Sequence, residues 1–174
     1  QTCALPICRI IESEACVDDV AVWLARREKR FAVALAATGP LPLRRRKDGF
    51  EALLSAVVSQ QLSVSAADSI WNRLQAAGLV APAAIASAEE DALRACGLSR
   101  PKIRYAKGLA EAGLDFGALR ALPNDAVIAE LTALKGIGKW TAEIYAMASL
   151  GRADVFAAGD LALQESARIL FRLQ

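Results

Sequence analysis

Apolar residues fall at helical intervals through almost the whole of this chain. The clearest stripe is Phe50, Leu53, Leu54, Val57 and Val58, at i, i+3, i+4, i+7 and i+8, one face of an amphipathic helix. The run Ser59-Gln60-Gln61-Leu62-Ser63 interrupts it. The period resumes with Val64, Ala67, Ile70, Trp71 and Leu74 and stops at Gly78, with Ser63 or Ser65 as the cap. Upstream, Asp18 or Asp19 can cap a helix running through Trp23 and Phe31 to about Ala37, which Thr38-Gly39-Pro40 breaks. Leu41 to Asp48 is a Pro- and Arg-rich connector.

Downstream, Pro82 opens a short helix, and Ser87-x-x-Glu90 reads as a capping box for the next, which ends at Gly97. Ser99 caps a basic helix from Arg100 to about Ala112, closed by Gly113. Asn124 caps Asp125 to Leu134, Gly136-Ile137-Gly138 separates that helix from Lys139 to Leu150, and Gly151 to Gly159 is irregular. Asp160 opens a last helix. Strand-like alternation is hard to find. The pattern predicts an all-α domain of about eight short helices in two lobes.

Composition narrows the chemistry. At 174 residues the chain is about one domain, and 55% hydrophobic content excludes a disordered tail. No apolar run approaches the roughly 20 residues of a membrane span. There is no His, which removes Ser-His-Asp triads, His general bases and His-ligated metals. The net charge of +2 does not by itself argue for nucleic acid. Three basic clusters carry more: Arg26, Arg27, Lys29 and Arg30; Arg44 to Lys47; and Arg100, Lys102, Arg104 and Lys107. Any one of them taken alone reads first as a solvated face.

The cysteines stand at 3, 8, 16 and 96 with no C-x-x-C pair, so a zinc site is not expected and the compartment reads as reducing and cytoplasmic, nucleoid-associated in a bacterium. Gln1 to Cys8 fits no period and is suspected to be foreign; residues 1–17 are read as a poorly determined segment and 18–174 as the domain.

The sharpest signal is Leu131-x-x-Leu134-Lys135-Gly136-Ile137-Gly138-Lys139-Trp140-Thr141-Ala142. Two helices meet at a Gly-x-Gly turn, and the second begins with free N–H groups that suit a phosphate. Lys135 and Lys139 flank it. Glycines alone would be compatible with an ordinary αα-hairpin. Here they are followed by Asp154-Val155-Phe156 and Gly159-Asp160-Leu161.

The whole of Leu131 to Leu163 resembles the helix–hairpin–helix DNA glycosylases, within them most closely the DNA-3-methyladenine glycosylase II group. Ser59 to Val64, the Ala66-Ala67 pair and Gly97-Leu98-Ser99-x-x-Lys102 agree with it, so the resemblance spans roughly residues 20 to 173.

The resemblance implies specific roles. The family's catalytic aspartate falls on Asp160, whose carboxylate would stabilise positive charge on the sugar and orient a water; an Asp at a helix start is also an ordinary N-cap. Where bifunctional relatives hold a Lys nucleophile, this chain has Trp140, which points to a monofunctional enzyme and an indole that can stack on an extruded base; a core Trp is the plainer alternative. Gln61 or Leu62 would be the minor-groove wedge, against a simple interhelical turn. Contacts to DNA are expected at Gln60, Gln61, Leu62, Ser63, Gly136, Ile137, Gly138, Lys139 and Thr141.

The implied function is monofunctional hydrolysis of the N-glycosidic bond of alkylated purines in base-excision repair, on double-stranded DNA, by a monomer without membrane contact. No cofactor is expected, and no Cys lies beyond Cys96 for an iron–sulfur cluster; a monovalent cation on hairpin carbonyls would be consistent with the family. The chain lacks the β-rich N-terminal domain of longer members and ends at Gln174 where the family usually continues, so it reads as a C-terminal truncation of a short member. The competing readings are a non-catalytic helix–hairpin–helix DNA-binding module and a helical interaction domain with no nucleic-acid role.

Overall fold

The five residues of the clearest stripe, Phe50, Leu53, Leu54, Val57 and Val58, are all buried, and the core is built around them. In the computed structural model, which describes residues 10–173, every regular element is a helix. In chain order these are α1 (Glu14–Arg27), α2 (Lys29–Thr38), α3 (Phe50–Ser59), α4 (Val64–Ala76), α5 (Pro82–Ser87), α6 (Glu90–Ala95), α7 (Arg100–Glu111), α8 (Phe116–Ala121), α9 (Asn124–Thr132), α10 (Lys139–Ala148) and α11 (Leu161–Phe171). Three have only six residues; the other eight have nine or more. Among the described residues the only extended pairing is an isolated antiparallel bridge between Ile10 and Arg152. Gln1 to Cys8 lies outside the described residues.

Helices α3 to α10 share one continuous apolar core, in which Leu53, Leu54, Leu74, Ile85, Leu93, Val127 and Leu131 are fully enclosed. Burying a Leu or Val side chain contributes about 1.5–3 kcal/mol, which is the dominant force holding these short helices together. Helices α1, α2 and α11 form a smaller assembly around aromatic rings. Phe31 meets Phe171 edge-on at 5.7 Å, and the Arg30 guanidinium lies 4.7 Å over the Phe171 ring.

Several local expectations are corrected. The first helix starts at Glu14, where Ser13 accepts from the Cys16 N–H, so neither Asp18 nor Asp19 is its cap. It does not run unbroken to Ala37: Glu28 turns extended, accepts from the Arg30 N–H, and caps a second helix. Ser87 makes no capping box with Glu90, because its hydroxyl donates back to Ala83 O within α5. Asn124 is the first residue of α9 rather than its cap. Helix α8 corresponds to no element that the apolar pattern predicts; Asp115 caps it by accepting from the Ala118 N–H. Val64 shares the apolar period of α4 but, as the first residue of that helix, is 80% exposed.

Candidate active site and hairpin

The hairpin is built from the inside out. Helix α9 ends with Leu131 in the core, and Ile137 N–H donates to Leu134 O at 3.1 Å to close the turn. Ile137 between the two glycines is buried and pins the turn to the core, so any outward contact it makes runs through its backbone. Gly136 has φ 91, a region closed to most residues, and its α-carbon lies against Tyr105 of α7, where an added Cβ would overlap the ring.

Gly138 is different. Its φ of −81° is ordinary, and an added Cβ would meet nothing within 4 Å. No side chain caps α10, so its first-turn N–H groups have no side-chain acceptor at Gly138, beside exposed Lys139. Lys139 reaches Glu143 at 3.8 Å. Thr141 is buried in the first turn of α10, so its side chain supports the site from within.

The interrupting loop is brought to the same face. Gln60 Nε2 donates to Gly136 O at 2.7 Å, 76 residues away in sequence. Gln61 takes the left-handed conformation, φ 56, and Leu62 beyond it is 40% exposed. Ser63 caps α4, accepting from Ala66 N–H at 3.3 Å. A single surface groove is lined by Gln60, Gln61, Lys135, Gly136, Gly138 and Trp140.

Asp160 is the N-cap of α11, and its second oxygen has its own partner. Oδ1 accepts from Leu163 N–H at 3.0 Å, and Oδ2 accepts from the Trp140 indole Nε1–H at 2.8 Å. The Leu163 backbone N–H and then the Trp140 indole hold the Asp160 carboxyl below its ordinary value, so it is an anion at neutral pH. Trp140 is not a core residue: it is 48% exposed.

The same indole lines a cleft of about 400 Å³ together with Trp71, Tyr145, Glu51, Arg46 and Gln61. That volume is in the range of small-ligand sites. The floor is rigid. Tyr145 is buried at the back of the cleft, its hydroxyl accepts from the Gly49 N–H at 2.8 Å, and burial pushes its pKa up to about 12, so it stays neutral. Trp140 therefore joins an aromatic cleft to a fixed carboxylate.

Sequence reasoning missed Tyr145, Tyr105, Trp71 and Lys102 as parts of this region. Trp71 falls on the apolar period of its helix and Tyr145 belongs to no motif named above, and only the tertiary packing turns both toward one cavity. A monovalent ion at the hairpin would draw on backbone carbonyls; two of these, Leu134 O and Gly136 O, already accept from Ile137 N–H and the Gln60 amide, each keeping a second lone pair.

Residues 54–174 match a family model described as HhH-GPD superfamily base excision DNA repair protein. The chain is 38% identical over 138 residues to DNA-3-methyladenine glycosylase 1 of Schizosaccharomyces pombe, covering 74% of this chain and 60% of the relative's length. Its fold matches a DNA-3-methyladenine glycosidase from Bacillus halodurans with a TM-score of 0.77 and 35% identity, over 92% of this chain and 74% of that one. It also matches the S. pombe 3-methyladenine DNA glycosylase Mag1 in complex with abasic DNA, with a TM-score of 0.74 and 33% identity, over 88% of this chain and 81% of that one.

Proposed function

The chain belongs to the HhH-GPD superfamily of base excision DNA repair proteins, and from that premise we propose that it is a monofunctional DNA glycosylase that releases alkylated purines of the 3-methyladenine type. The observation that carries this reading is the 2.8 Å hydrogen bond from Trp140, a wall of the cleft, to the carboxylate of Asp160. A module that only binds DNA needs the hairpin but has no use for an ionised carboxylate fixed at the edge of an aromatic cleft.

In this reading the hairpin takes one phosphate run on the N–H groups of α10, and the Gln61–Leu62 loop enters the space left by the extruded nucleotide. The base stacks in the cleft beside Trp140. An N3- or N7-alkylated purine is cationic, which favours both stacking on an indole and departure without a general acid. As the glycosidic bond breaks, positive charge gathers on the sugar, and the Asp160 carboxylate stabilises it and orients the attacking water. Oδ1 and Oδ2 are already held by Leu163 and Trp140, so little reorganisation is needed. With an indole at position 140 there is no amine there to form a Schiff base.

The test is incubation with duplex DNA methylated by a simple alkylating agent. Free 3-methyladenine and alkali-labile abasic sites are expected, without strand cuts before alkali. Failure to release any base would overturn the reading, and alkali-independent cuts would overturn its monofunctional part.

The hairpin assignment has its own check. Gly138→Asp is expected to leave the fold as stable as the parent or more so, because Asp is a preferred N-cap and α10 has no side-chain cap. The same carboxylate occupies the N–H groups a phosphate would use and repels it. Affinity for damaged and undamaged duplex should fall together, by about tenfold or more at low salt, since backbone contacts carry no sequence information. Fluorescence anisotropy on both duplexes measures it, and unchanged affinity would remove the hairpin from the binding surface.

A further inference from the structure

Helix α7 carries one of the chain's three basic clusters, Arg100, Lys102, Arg104 and Lys107, a face suited in charge to phosphates. Two of the four are engaged elsewhere. Lys107 Nζ donates to Ala88 O at 2.7 Å, at the end of α5. Lys102 is half-buried, and its Nζ donates to Val58 O at 2.6 Å and to Gln60 O at 2.8 Å, at the end of α3. A helix C-terminus carries partial negative charge and orphan carbonyls, so an ammonium there is well placed. Burial pushes the Lys102 pKa down, as expected for a cation drawn out of water.

Gln60 lies between two constraints. Its carbonyl accepts from Lys102, and its side-chain amide donates to Gly136 O. Gly136 in turn rests on Tyr105, three residues after Lys102 on the same face of α7. One helical turn of α7 therefore holds both the end of the Gln61–Leu62 loop and the glycine turn of the hairpin. Immediately beyond the double anchor, Gln61 enters the left-handed region, and Leu62 projects outward.

We propose that Lys102 and Gln60 form a strap that fixes the Gln61–Leu62 loop to the hairpin, so that Lys102 is a positioning residue for nucleotide extrusion and not a phosphate contact. The inference rests on the glycosylase reading and adds to it a device for coupling two contacts. Extruding a nucleotide costs a few kcal/mol of stacking and pairing. A wedge works against that cost only if it cannot recoil. Tied to the hairpin, the loop is braced by the phosphates the hairpin already holds, and phosphate capture and insertion become one rigid engagement.

The experiment compares the parent chain with Lys102→Met, which keeps the aliphatic stem, and with Gln60→Glu, which sets a carboxylate against Gly136 O. Gln60→Glu changes a surface loop and carries the test if Lys102→Met does not fold. Three quantities are read: the salt dependence of binding to undamaged duplex, amide hydrogen exchange over residues 59–63, and extrusion reported by 2-aminopurine beside an abasic analogue. For Lys102→Met the salt slope should be unchanged, loop exchange faster, and extrusion lower by on the order of ten- to a hundred-fold, the range expected when a working group is displaced by about 1 Å.

Gln60→Glu should reproduce the exchange and extrusion results, and the double variant should be no worse than the stronger single one, because both cut the same strap. A salt slope reduced by about 0.9 with unchanged loop exchange would make Lys102 a phosphate contact and overturn the proposal. So would parental extrusion in both variants. None of the three readouts requires base release, so a chain that excises nothing but keeps this pattern would count against the glycosylase reading and leave the strap standing.

Discussion

Asp160→Asn is expected to lower base release by on the order of 10²–10³, the usual effect of removing one preorganised electrostatic group, while duplex binding persists. Asparagine keeps an oxygen for the Leu163 N–H, so α11 retains its cap and the fold survives. What it loses is the charge and the acceptor facing Trp140. Its amide NH2 would meet the indole N–H donor to donor at a position where the parent has a 2.8 Å hydrogen bond. Binding does not depend on this carboxylate, since an anion beside phosphates repels them.

The companion variant Trp140→Phe keeps an aromatic wall but removes the N–H. The Leu163 and Trp140 N–H groups hold the parent carboxyl below its ordinary value, so activity is retained as pH falls until it passes that lowered value. Without the indole donor the loss should begin at a higher pH. Single-turnover release of 3-methyladenine across the acid range measures both effects. Parental rates in Asp160→Asn would end the mechanism, and an unmoved acid limb in Trp140→Phe would end the positioning role of the indole.

Gly136→Ala should be the most damaging single-methyl change in the hairpin. The backbone at φ 91 is strained for alanine by about 1–2 kcal/mol. The new Cβ would also overlap the Tyr105 ring, and Tyr105 cannot simply swing clear, because its own Cβ lies 2.7 Å from the added atom. Overpacking of this kind typically costs about 1–3 kcal/mol. Together these give roughly 2–5 kcal/mol, a large part of the roughly 5–15 kcal/mol that holds a domain folded. The melting temperature should fall by roughly 4–20 °C. Gly138→Ala, only two residues away, should lower it far less, by a few degrees at most, since its φ is ordinary and its Cβ would meet no atom, leaving only the loss of a favourable N-cap glycine. Thermal unfolding of the two variants side by side is the measurement, and equal midpoints would contradict the packing described for the turn.

The sequence by itself determined the helical class, the stripe from Phe50 to Val58, the interrupting Gln60–Gln61 loop, the Gly-x-Gly turn and the helix start at Asp160. All of these rest on 3.6-residue periodicity or on the backbone freedom of glycine, which act within one or two turns of chain. The same local logic erred where competing partners were equally near: Ser87 found Ala83 O within its own helix rather than a partner ahead, and Glu28 broke a helix that the apolar period would have continued.

The tertiary structure alone decided the pairings that make a site. Trp140, at the start of α10, meets Asp160 20 residues on, Lys102 reaches back 44 residues to Val58, Gln60 reaches 76 residues ahead to Gly136, and Tyr145 meets Gly49 across 96 residues. Those meetings depend on how packed helices orient against one another. Many side chains set that geometry jointly, because each short helix is held mainly by the apolar face it buries and not by its own hydrogen bonds. No spacing in the chain encodes it.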